Sequence, residues 1–267
     1  MQTASGSGLP RDDGLQGRVA LITGGASGIG RATAVAFARA GVRTVIGHYP
    51  GDPHDATSAI AAVEKAGGEC IAVPLDVRES SQVDEFAQAA IDRYGRLDIV
   101  VAAAGIARRS PLEEMVDSLW NDTIDVDLTG VMRTFRSGAA RMTGPGAMVA
   151  ISSIAGGIYG WSSHAHYAAA KAGVLGLCRA LALELSDRGV RVNAVIPGLI
   201  ETPQTLDGAN SLGRDNLARA GAVIPVGHVG VADDVARVIR FLSSDDSGYI
   251  TGQQIVVDGG LTARRAD

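Results

Sequence analysis

The chain has 267 residues, of which 46% are hydrophobic and 20% are charged, a composition typical of a folded globular protein and not of a disordered one. Its formal net charge of −5 argues against a nucleic-acid partner, because binding to a phosphate backbone requires a basic surface.

No apolar run reaches the roughly 18 residues that a membrane-spanning helix needs, and residues 1–13 lack the basic start and apolar core of a signal peptide. The two cysteines, Cys70 and Cys178, have no metal-ligand spacing and are expected to be free thiols of a reducing compartment. We therefore expect a cytoplasmic protein that binds neither nucleic acid nor a membrane nor a metal ion.

Residues 1–16, which begin with a Gly/Ser-rich stretch, are expected to form a flexible tail, and the folded domain is expected to span residues 17–267. Within that domain, short apolar and β-branched runs alternate with segments of helical periodicity. The predicted strands are residues 19–22, 44–46, 71–74, 99–102, 148–151, 192–196 and 255–257. The predicted helices are residues 29–40, 57–66, 83–94, 119–142, 168–186 and 231–242.

The order of these elements predicts the fold class. The strands lack the alternation of a half-exposed sheet, so both of their faces are expected to be covered. Strands that alternate with helices imply right-handed crossovers between parallel strands. No linker or internal repeat divides the chain. We therefore predict a single α/β domain built on a doubly wound parallel sheet of the Rossmann type.

A glycine-rich segment, TGGASGIG at residues 23–30, joins the first strand to the first helix. The free N–H groups and the dipole of a helix start attract anions, and glycine lets the backbone turn or touch a phosphate. The spacing is G-x-x-x-G-x-G, not the common G-x-G-x-x-G. A glycine-rich turn without a ligand is the alternative, and the position directly after the first strand disfavours it. The predicted pyrophosphate-binding residues are Gly24, Ser27, Gly28, Ile29 and Gly30.

Tyr167 and Lys171 lie four residues apart in a helical stretch, which places both side chains on one helix face. A tyrosine has an ordinary pKa of about 10, and bringing it to about 7 requires about 4 kcal/mol. A lysine cation about 4 Å away supplies roughly that much at an effective dielectric near 20. Ser153 follows the fifth strand, where a doubly wound sheet binds its ligands. The alternative for Ser153 is a hydroxyl that only bonds to the turn.

Four segments in order carry a resemblance: TGGASGIG, ISSIAG at residues 151–156, YAAAK at 167–171 and IPG at 196–198. Together they resemble the short-chain dehydrogenase/reductase family, and TGQQIVVDGG at residues 251–260 is similar to its last strand. The resemblance implies hydride transfer between NAD(P)(H) and an alcohol or ketone substrate. It further implies that Tyr167 is the general acid/base, that Lys171 holds the nicotinamide ribose and that Ser153 polarises the substrate oxygen.

The same resemblance implies further cofactor contacts and an assembly. Asp76 is expected at the adenine, and Ile200 and Thr202 at the nicotinamide amide. With the glycine-rich segment, the implied cofactor-binding residues are His48, Tyr49, Asp76, Val77, Ala103, Gly105, Tyr167, Lys171, Pro197, Gly198, Ile200 and Thr202. A homotetramer with two-fold symmetry is expected, with the predicted helices 119–142 and 168–186 packed across one interface.

The sequence departs from the family pattern at two places. The family's Asn-Asn-Ala-Gly after the fourth strand is Ala-Ala-Ala-Gly at residues 102–105, and the asparagine of its proton relay is Asp127. An ionised aspartate only accepts hydrogen bonds, whereas an asparagine also donates. Asp127 could still hold a relay water against Lys171, so it is included as a catalytic candidate, although its charge opposes the acidification of Tyr167. His164 and His166 are interpreted as structural or substrate-wall residues.

The choice between NAD and NADP depends on the end of the second strand. An NAD enzyme places an acidic residue there for the ribose diol, and this chain has His48. No arginine or lysine follows His48 to bind a 2′-phosphate, and Asp52 and Asp55 would disfavour a phosphate if they pointed inward. Both cofactors stay open, and the balance favours NADP. A dinucleotide-binding scaffold or redox sensor without turnover is the alternative function.

Overall fold

The computed structural model describes residues 13–263. Its strands are β1 (Val19–Thr23), β2 (Arg43–His48), β3 (Cys70–Pro74), β4 (Ile99–Ala102), β5 (Gly146–Ile151), β6 (Val190–Pro197), β7 (Ile200–Glu201), β8 (Gly230–Val231) and β9 (Gln254–Val257). Its helices are α1 (Gly28–Ala38), α2 (Ala56–Lys65), α3 (Ser80–Tyr94), α4 (Asp117–Ile124), α5 (Gly130–Arg141), α6 (Ile154–Gly157), α7 (Ala165–Glu184), α8 (Pro203–Leu206), α9 (Arg214–Ala220) and α10 (Ala232–Ser243).

Seven strands form one parallel sheet in the order β3-β2-β1-β4-β5-β6-β9. The predicted fold class is confirmed, and each of the seven predicted runs is a strand of this sheet. Every residue of β1, β4 and β5 is buried, because helices cover both faces of the sheet. The strand order reverses between β1 and β4. The crevice for a ligand in such a sheet lies beyond the carboxyl ends of the strands at this switch point.

Two hydrophobic layers hold the helices against the sheet. On one face, Phe86 of α3 and Phe135 of α5 pack with Val174 of α7. On the other face, Phe37 of α1, Val63 of α2 and Ile239 of α10 form the second layer. These side chains are fully buried or nearly so. The loops that carry the candidate functional side chains lie at the carboxyl edge of the sheet.

The expected tail is only partly within the described residues. Residues 1–12 lie outside them, as do residues 264–267. Leu15 is fully buried in the core, and the backbone oxygen of Asp13 accepts a hydrogen bond of 3.0 Å from the N–H of Asp245. The side chain of Asp13 also pairs with Arg240. The expectation of a flexible tail is therefore wrong for residues 13–16, which pack against α10 and the turn that follows it.

The predicted helix 119–142 is two helices joined by a π-helical segment, Asp125–Thr129. Asp127 lies in this segment, and a π-helical turn of this kind often marks a functional position. The short elements β7, α8 and α9 were not predicted, because segments of two to seven residues are too short to show a period. Within the described residues, no helix is long and apolar enough to cross a membrane.

Candidate active site

The predicted catalytic side chains meet beyond the carboxyl ends of β4 and β5. Ser153 lies two residues after the end of β5 and is the N-cap of α6, with its hydroxyl accepting the N–H of Ala155 at 3.1 Å. Tyr167 and Lys171 lie one turn apart on α7 and are 7% and 4% exposed. The ammonium of Lys171 lies 5.6 Å from the centre of the Tyr167 ring. Ser153 caps the turn, as its alternative interpretation proposed. Its hydroxyl also lies close enough to the phenol of Tyr167 to lower the pKa of that group.

Asp127 and Lys171 form a buried ion pair. The Asp127 Oδ2 atom lies 3.3 Å from the Lys171 Nζ atom, and the carboxylate is fully buried. Its Oδ1 atom accepts the N–H of Ile106 at 2.8 Å, and Lys171 donates to the carbonyl of Ile151 at 3.2 Å. The carboxylate thus fixes both the lysine and the loop after β4. This loop is the one in which the family's two asparagines are replaced.

The pKa values of the pair follow from burial and mutual attraction. Burial raises the pKa of Asp127, although the Lys171 ammonium and the Ile106 N–H act against that rise. Burial lowers the pKa of Lys171, but the Asp127 carboxylate and the Tyr167 phenol more than offset this, so that the pKa is raised. Lys171 therefore stays protonated at neutral pH.

The pKa of Tyr167 is raised, not lowered as the tyrosine–lysine pair alone suggests. Burial is the largest cause, because it disfavours the phenolate. The Lys171 ammonium lowers the pKa, while the Asp127 carboxylate raises it, as expected from its charge. Hydrogen bonds with Ser153 and Gln204 lower it further without reversing the sign. Tyr167 is therefore a protonated phenol at neutral pH.

The glycine-rich loop has the geometry of an anion-binding turn. Gly24 and Gly28 have positive φ angles of 65° and 50°, which favour glycine. A Cβ atom on Gly24 would lie 2.9 Å from the backbone of Ala104, and one on Gly30 would overlap the carbonyl of Gly24. Ser27 is the N-cap of α1, its side chain makes no cap hydrogen bond, and the first turn has no acidic residue. The first N–H groups of this helix are thus free to bind a phosphate.

A second wall faces this loop across the crevice. A Cβ atom on Gly28 would lie 3.6 Å from the Thr202 side chain, so the two segments approach closely. Thr202 caps α8, next to the buried Ile200 of β7. Gly198, after Pro197 at the end of β6, has no room for a Cβ atom beside Asp258.

The loop after β4 has a brace that the sequence analysis did not anticipate. The hydroxyl of Thr23 accepts the N–H groups of Ala103 and Ala104 at 3.1 Å each. A Cβ atom on Gly105 would lie 3.2 Å from the Lys171 Nζ atom, a tight contact that glycine avoids. The sequence signal that could have indicated this brace was Thr23, the last residue of the first strand.

Asp76, the expected adenine contact, is held by Arg78. The guanidinium binds both oxygens of Asp76 at 2.7–3.1 Å and also pairs with Asp122 at 2.6 Å. These hydrogen bonds hold the pKa of Asp76 below its usual value, although burial opposes them. The Arg78 guanidinium also lies 5.7 Å from the centre of the Tyr49 ring. Val77 and His48 lie beside this network, at the start of the loop after β3 and at the end of β2.

Two other residues near the site were missed or only partly understood. Gln204 lies in α8, close enough to the phenol of Tyr167 to lower the pKa of that group. Its position after Thr202 was the only sequence signal for it. His164 is a buried residue that stacks on Trp161 at 3.5 Å, and Trp161 in turn meets the Tyr167 ring edge-on at 5.8 Å. His166 is also buried, so neither histidine is exposed to the crevice.

This fold and this arrangement of serine, tyrosine and lysine define a short-chain dehydrogenase/reductase. A family model described as enoyl-(acyl carrier protein) reductase matches residues 24–262. The chain is 40% identical over 249 residues to the 3-oxoacyl-[acyl-carrier-protein] reductase FabG of Thermotoga maritima, covering 92% of this chain and 98% of that protein. It is 38% identical over 253 residues to 3beta-hydroxysteroid dehydrogenase 1 of Eggerthella lenta, covering 94% and 95%.

Solved structures give the same result. Levodione reductase superposes with a TM-score of 0.86 at 33% identity, covering 94% of this chain and 99% of that one. A putative short-chain alcohol dehydrogenase from Sinorhizobium meliloti 1021 superposes with a TM-score of 0.88 at 33% identity, covering 96% and 100%. The chain belongs to the short-chain dehydrogenase/reductase family. It is an NAD(P)-dependent oxidoreductase that transfers a hydride between the dinucleotide and an alcohol or ketone. This result disfavours the alternative function, a dinucleotide-binding scaffold without turnover.

Proposed function

We propose that Tyr167 is the general acid/base of this hydride transfer and that the enzyme works as a ketone reductase at neutral pH. The observation that carries the proposal is that Tyr167, Lys171 and Ser153 meet beyond the carboxyl ends of β4 and β5, with the Lys171 ammonium 5.6 Å from the centre of the Tyr167 ring. Burial raises the pKa of Tyr167, so its proton is available at this place. A protonated phenol can give a proton to a ketone oxygen, whereas alcohol oxidation first requires its loss. The same residues run the reverse reaction at higher pH.

The roles of the other side chains follow from their contacts. Ser153 lies within hydrogen-bonding reach of Tyr167, so its hydroxyl can donate to the same substrate oxygen. Lys171 keeps its charge and favours the tyrosinate that forms when the proton leaves. Asp127 holds Lys171 in place through the ion pair of 3.3 Å. The nicotinamide, when bound, supplies the hydride for the carbonyl carbon.

The dinucleotide fits the crevice between the two walls described above. The free N–H groups of α1 and the close-packed glycines, Gly24, Gly28 and Gly30, suit the pyrophosphate. The network of Arg78 with Asp76 and the ring of Tyr49 suit the adenine. On the opposite side, Lys171 has room at Gly105 to reach a ribose. The full set of proposed cofactor-binding residues is Gly24, Ser27, Gly28, Ile29, Gly30, His48, Tyr49, Asp76, Val77, Ala103, Gly105, Tyr167, Lys171, Pro197, Gly198, Ile200 and Thr202.

The direct test of the catalytic role is Tyr167→Phe, assayed by nicotinamide absorbance with a panel of ketones. General acid/base catalysis typically contributes about 10²–10⁴-fold, so kcat should fall at least about 100-fold. The affinity for NAD(P)H should fall much less than kcat, because the change removes one hydroxyl among the many proposed cofactor contacts and phenylalanine keeps the ring that packs against Trp161. Near-normal turnover in a folded variant would overturn the assignment of Tyr167.

For the cofactor, we propose NADP over NAD. His48 at the end of β2 replaces the acidic residue that favours NAD, and Arg31 and His54 line the groove beside the glycine-rich loop. Asp55 and Asp233 also line this groove. The two acidic residues that follow β2 closely, Asp52 and Asp55, are engaged locally. Asp55 caps α2 by accepting the N–H of Thr57 at 2.9 Å. Asp52 pairs with the His54 ring at 2.5 Å.

Fluorescence titration of the enzyme with NADPH and NADH tests this preference. We expect tighter binding of NADPH, and we expect His48→Asp to reverse the preference, because a carboxylate repels a 2′-phosphate and accepts from a ribose diol. His228→Asp is the matched control, since His228 is exposed and bonds only to the neighbouring Val229 carbonyl. Tighter binding of NADH by the unmodified enzyme would contradict the proposal.

We also propose a cytoplasmic homotetramer. Both cysteines are free thiols, as expected for a reducing compartment. Val116 and Trp120 at the start of α4 are 59% and 39% exposed, and a Cβ atom on Gly176 of α7 would meet open space. The surfaces of α4 and α7 thus offer apolar area and room for close approach by helices of a second subunit.

A further inference from the structure

His164 lies between the catalytic helix and the segment that borders the site on the substrate side. This segment, residues 199–226, is called the lid here, because its Gln204 reaches Tyr167 and its Thr202 faces the glycine-rich loop. His164 immediately precedes α7 and is 2% exposed. Its side chain connects the loop before α7 to the lid.

Both ring nitrogens of His164 face carbonyl oxygens. The Nδ1 atom lies 2.8 Å from the oxygen of Ser162, and the Nε2 atom lies 3.0 Å from the oxygen of Asn210 in the lid. A carbonyl oxygen only accepts, and a neutral imidazole has a single N–H, so one contact of the neutral ring would be a repulsion between lone pairs. The imidazolium donates to both oxygens. The geometry around His164 is therefore complementary to its protonated form.

The ring on which His164 stacks favours the same form. The Trp161 and His164 ring planes are 5° from parallel with centroids 3.5 Å apart, an arrangement in which the indole face attracts a cation. The preceding Ser163 has a positive φ of 62°, unique among the non-glycine residues from 13 to 263. The N–H of Ser110 donates to the Ser163 carbonyl at 2.8 Å, which holds this uncommon conformation in place.

On the lid, Asp207 fixes the carbonyl that His164 binds. Its carboxylate accepts the backbone N–H of Asn210 at 3.3 Å and the side-chain amide of Asn210 at 2.8 Å. It also accepts the N–H of Ala209 at 2.9 Å. The Asn210 oxygen is thus presented to the imidazole by a short, internally bonded turn.

The other titratable groups near this contact keep their charge at physiological pH. Hydrogen bonds from Asn210 hold the pKa of Asp207 below its usual value, so it stays ionised. Burial lowers the pKa of His166 and raises that of Tyr167, so both stay neutral. Arg108, before α4, is a permanent cation that acts on Asp207. Imidazole is the side chain that ordinarily changes its charge near neutral pH, and His164 is the imidazole whose two ring nitrogens face the carbonyl oxygens of this contact.

We propose that His164 is a positioning residue that latches the lid over the active site when its imidazole is protonated. Closure of the lid then takes up a proton, and loss of that proton removes one of the two bonds and frees the turn of Asn210. Substrate binding weakens as the pH rises through the titration of His164, which raises KM more than it lowers kcat. The effect on KM rests on the proposed function, whereas the latch itself does not.

The latch is tested without turnover, by two measurements on the enzyme in the absence of substrate. In enzyme labelled with ¹⁵N-histidine, the ring signals of His164 are assigned by their loss in His164→Gln. Both ring nitrogens should be protonated near about pH 6. Hydrogen exchange of peptides covering residues 207–213, corrected for the intrinsic exchange rate, should accelerate about tenfold or more as His164 deprotonates, since a charge-assisted hydrogen bond is lost.

The variants separate the latch from a purely structural role. In His164→Gln, which has a single donor group, lid exchange should be fast at every pH and KM should lose its pH dependence over this range. His228→Gln removes a histidine that bonds only to its neighbour, and it should leave both pH dependences intact.

A neutral His164 ring beneath a protected lid near about pH 6 would overturn the proposal. Unchanged pH dependence of lid exchange in His164→Gln would do the same. If that variant does not fold, the ring signals of His164 are assigned by eliminating those of the other four histidines through their own substitutions, and the ring titration in unmodified enzyme then decides the matter. Tyr167→Phe should lack turnover while keeping the latch.

Discussion

Replacing Asp127 by asparagine tests how a buried carboxylate sets the protonation of the catalytic tyrosine. The carboxylate lies 3.3 Å from the Lys171 ammonium, which lies 5.6 Å from the centre of the Tyr167 ring. The carboxylate is therefore within about 9 Å of the ring centre, and at an effective dielectric of about 20 two unit charges at that separation interact by about 1.8 kcal/mol, somewhat more than one pH unit. Asp127→Asn should therefore lower the pKa of Tyr167 by about that amount.

The assay is kcat for alcohol oxidation as a function of pH at saturating dinucleotide. We expect Asp127→Asn to keep substantial activity, because asparagine retains an oxygen for the Ile106 N–H that now donates at 2.8 Å. Oxidation requires the tyrosinate, so the midpoint of its rise with pH should move to lower pH by roughly one unit.

The matched control is Asp125→Asn. Asp125 lies two positions away in the same π-helical segment, and its carboxylate pairs with Arg133 at 2.7 Å in a partly exposed site. This change removes the same formal charge without breaking the pair with Lys171, so the midpoint should stay in place. A midpoint of Asp127→Asn that moves to higher pH would refute the reasoning, because Asp127 would then not act on Tyr167 as a nearby anion.

Two further predictions concern the cofactor loop and the assembly. Gly28→Val should weaken NAD(P)H binding in a fluorescence titration, because its side chain would enter the narrow gap towards Thr202. Gly67→Val is the control, since Gly67 also has a positive φ but has no atoms within 4 Å of its Cβ position; equal affinity in the two folded variants would mean that the loop is only a turn. Light scattering at micromolar concentration should give the mass of a tetramer, and a monomer would refute the proposed packing of α4 and α7.

The sequence alone was sufficient to predict the sheet and to place the segments of the proposed site at its edge. Runs such as residues 19–22 and 99–102 are apolar without alternation, and only a strand covered on both faces accommodates such a run. The segments around Gly28 and Tyr167 lie in sequence next to a strand end or a helix start. Their place at the carboxyl edge follows from the chain order itself. The resemblance of four such segments to one family was confirmed by the relatives and solved structures.

What the sequence could not supply are contacts between segments that are distant along the chain. The Asp127 carboxylate bonds to Ile106, and His164 bonds to Asn210, at separations of 21 and 46 residues. The raised pKa of Tyr167 is of the same kind, because it depends on burial by several elements and not on the lysine one turn away. Local patterns report which side chains can share a face, since helix and strand periods act over a few residues. Desolvation and the choice of hydrogen-bond partners arise only when distant segments pack together, so only the tertiary structure decided them.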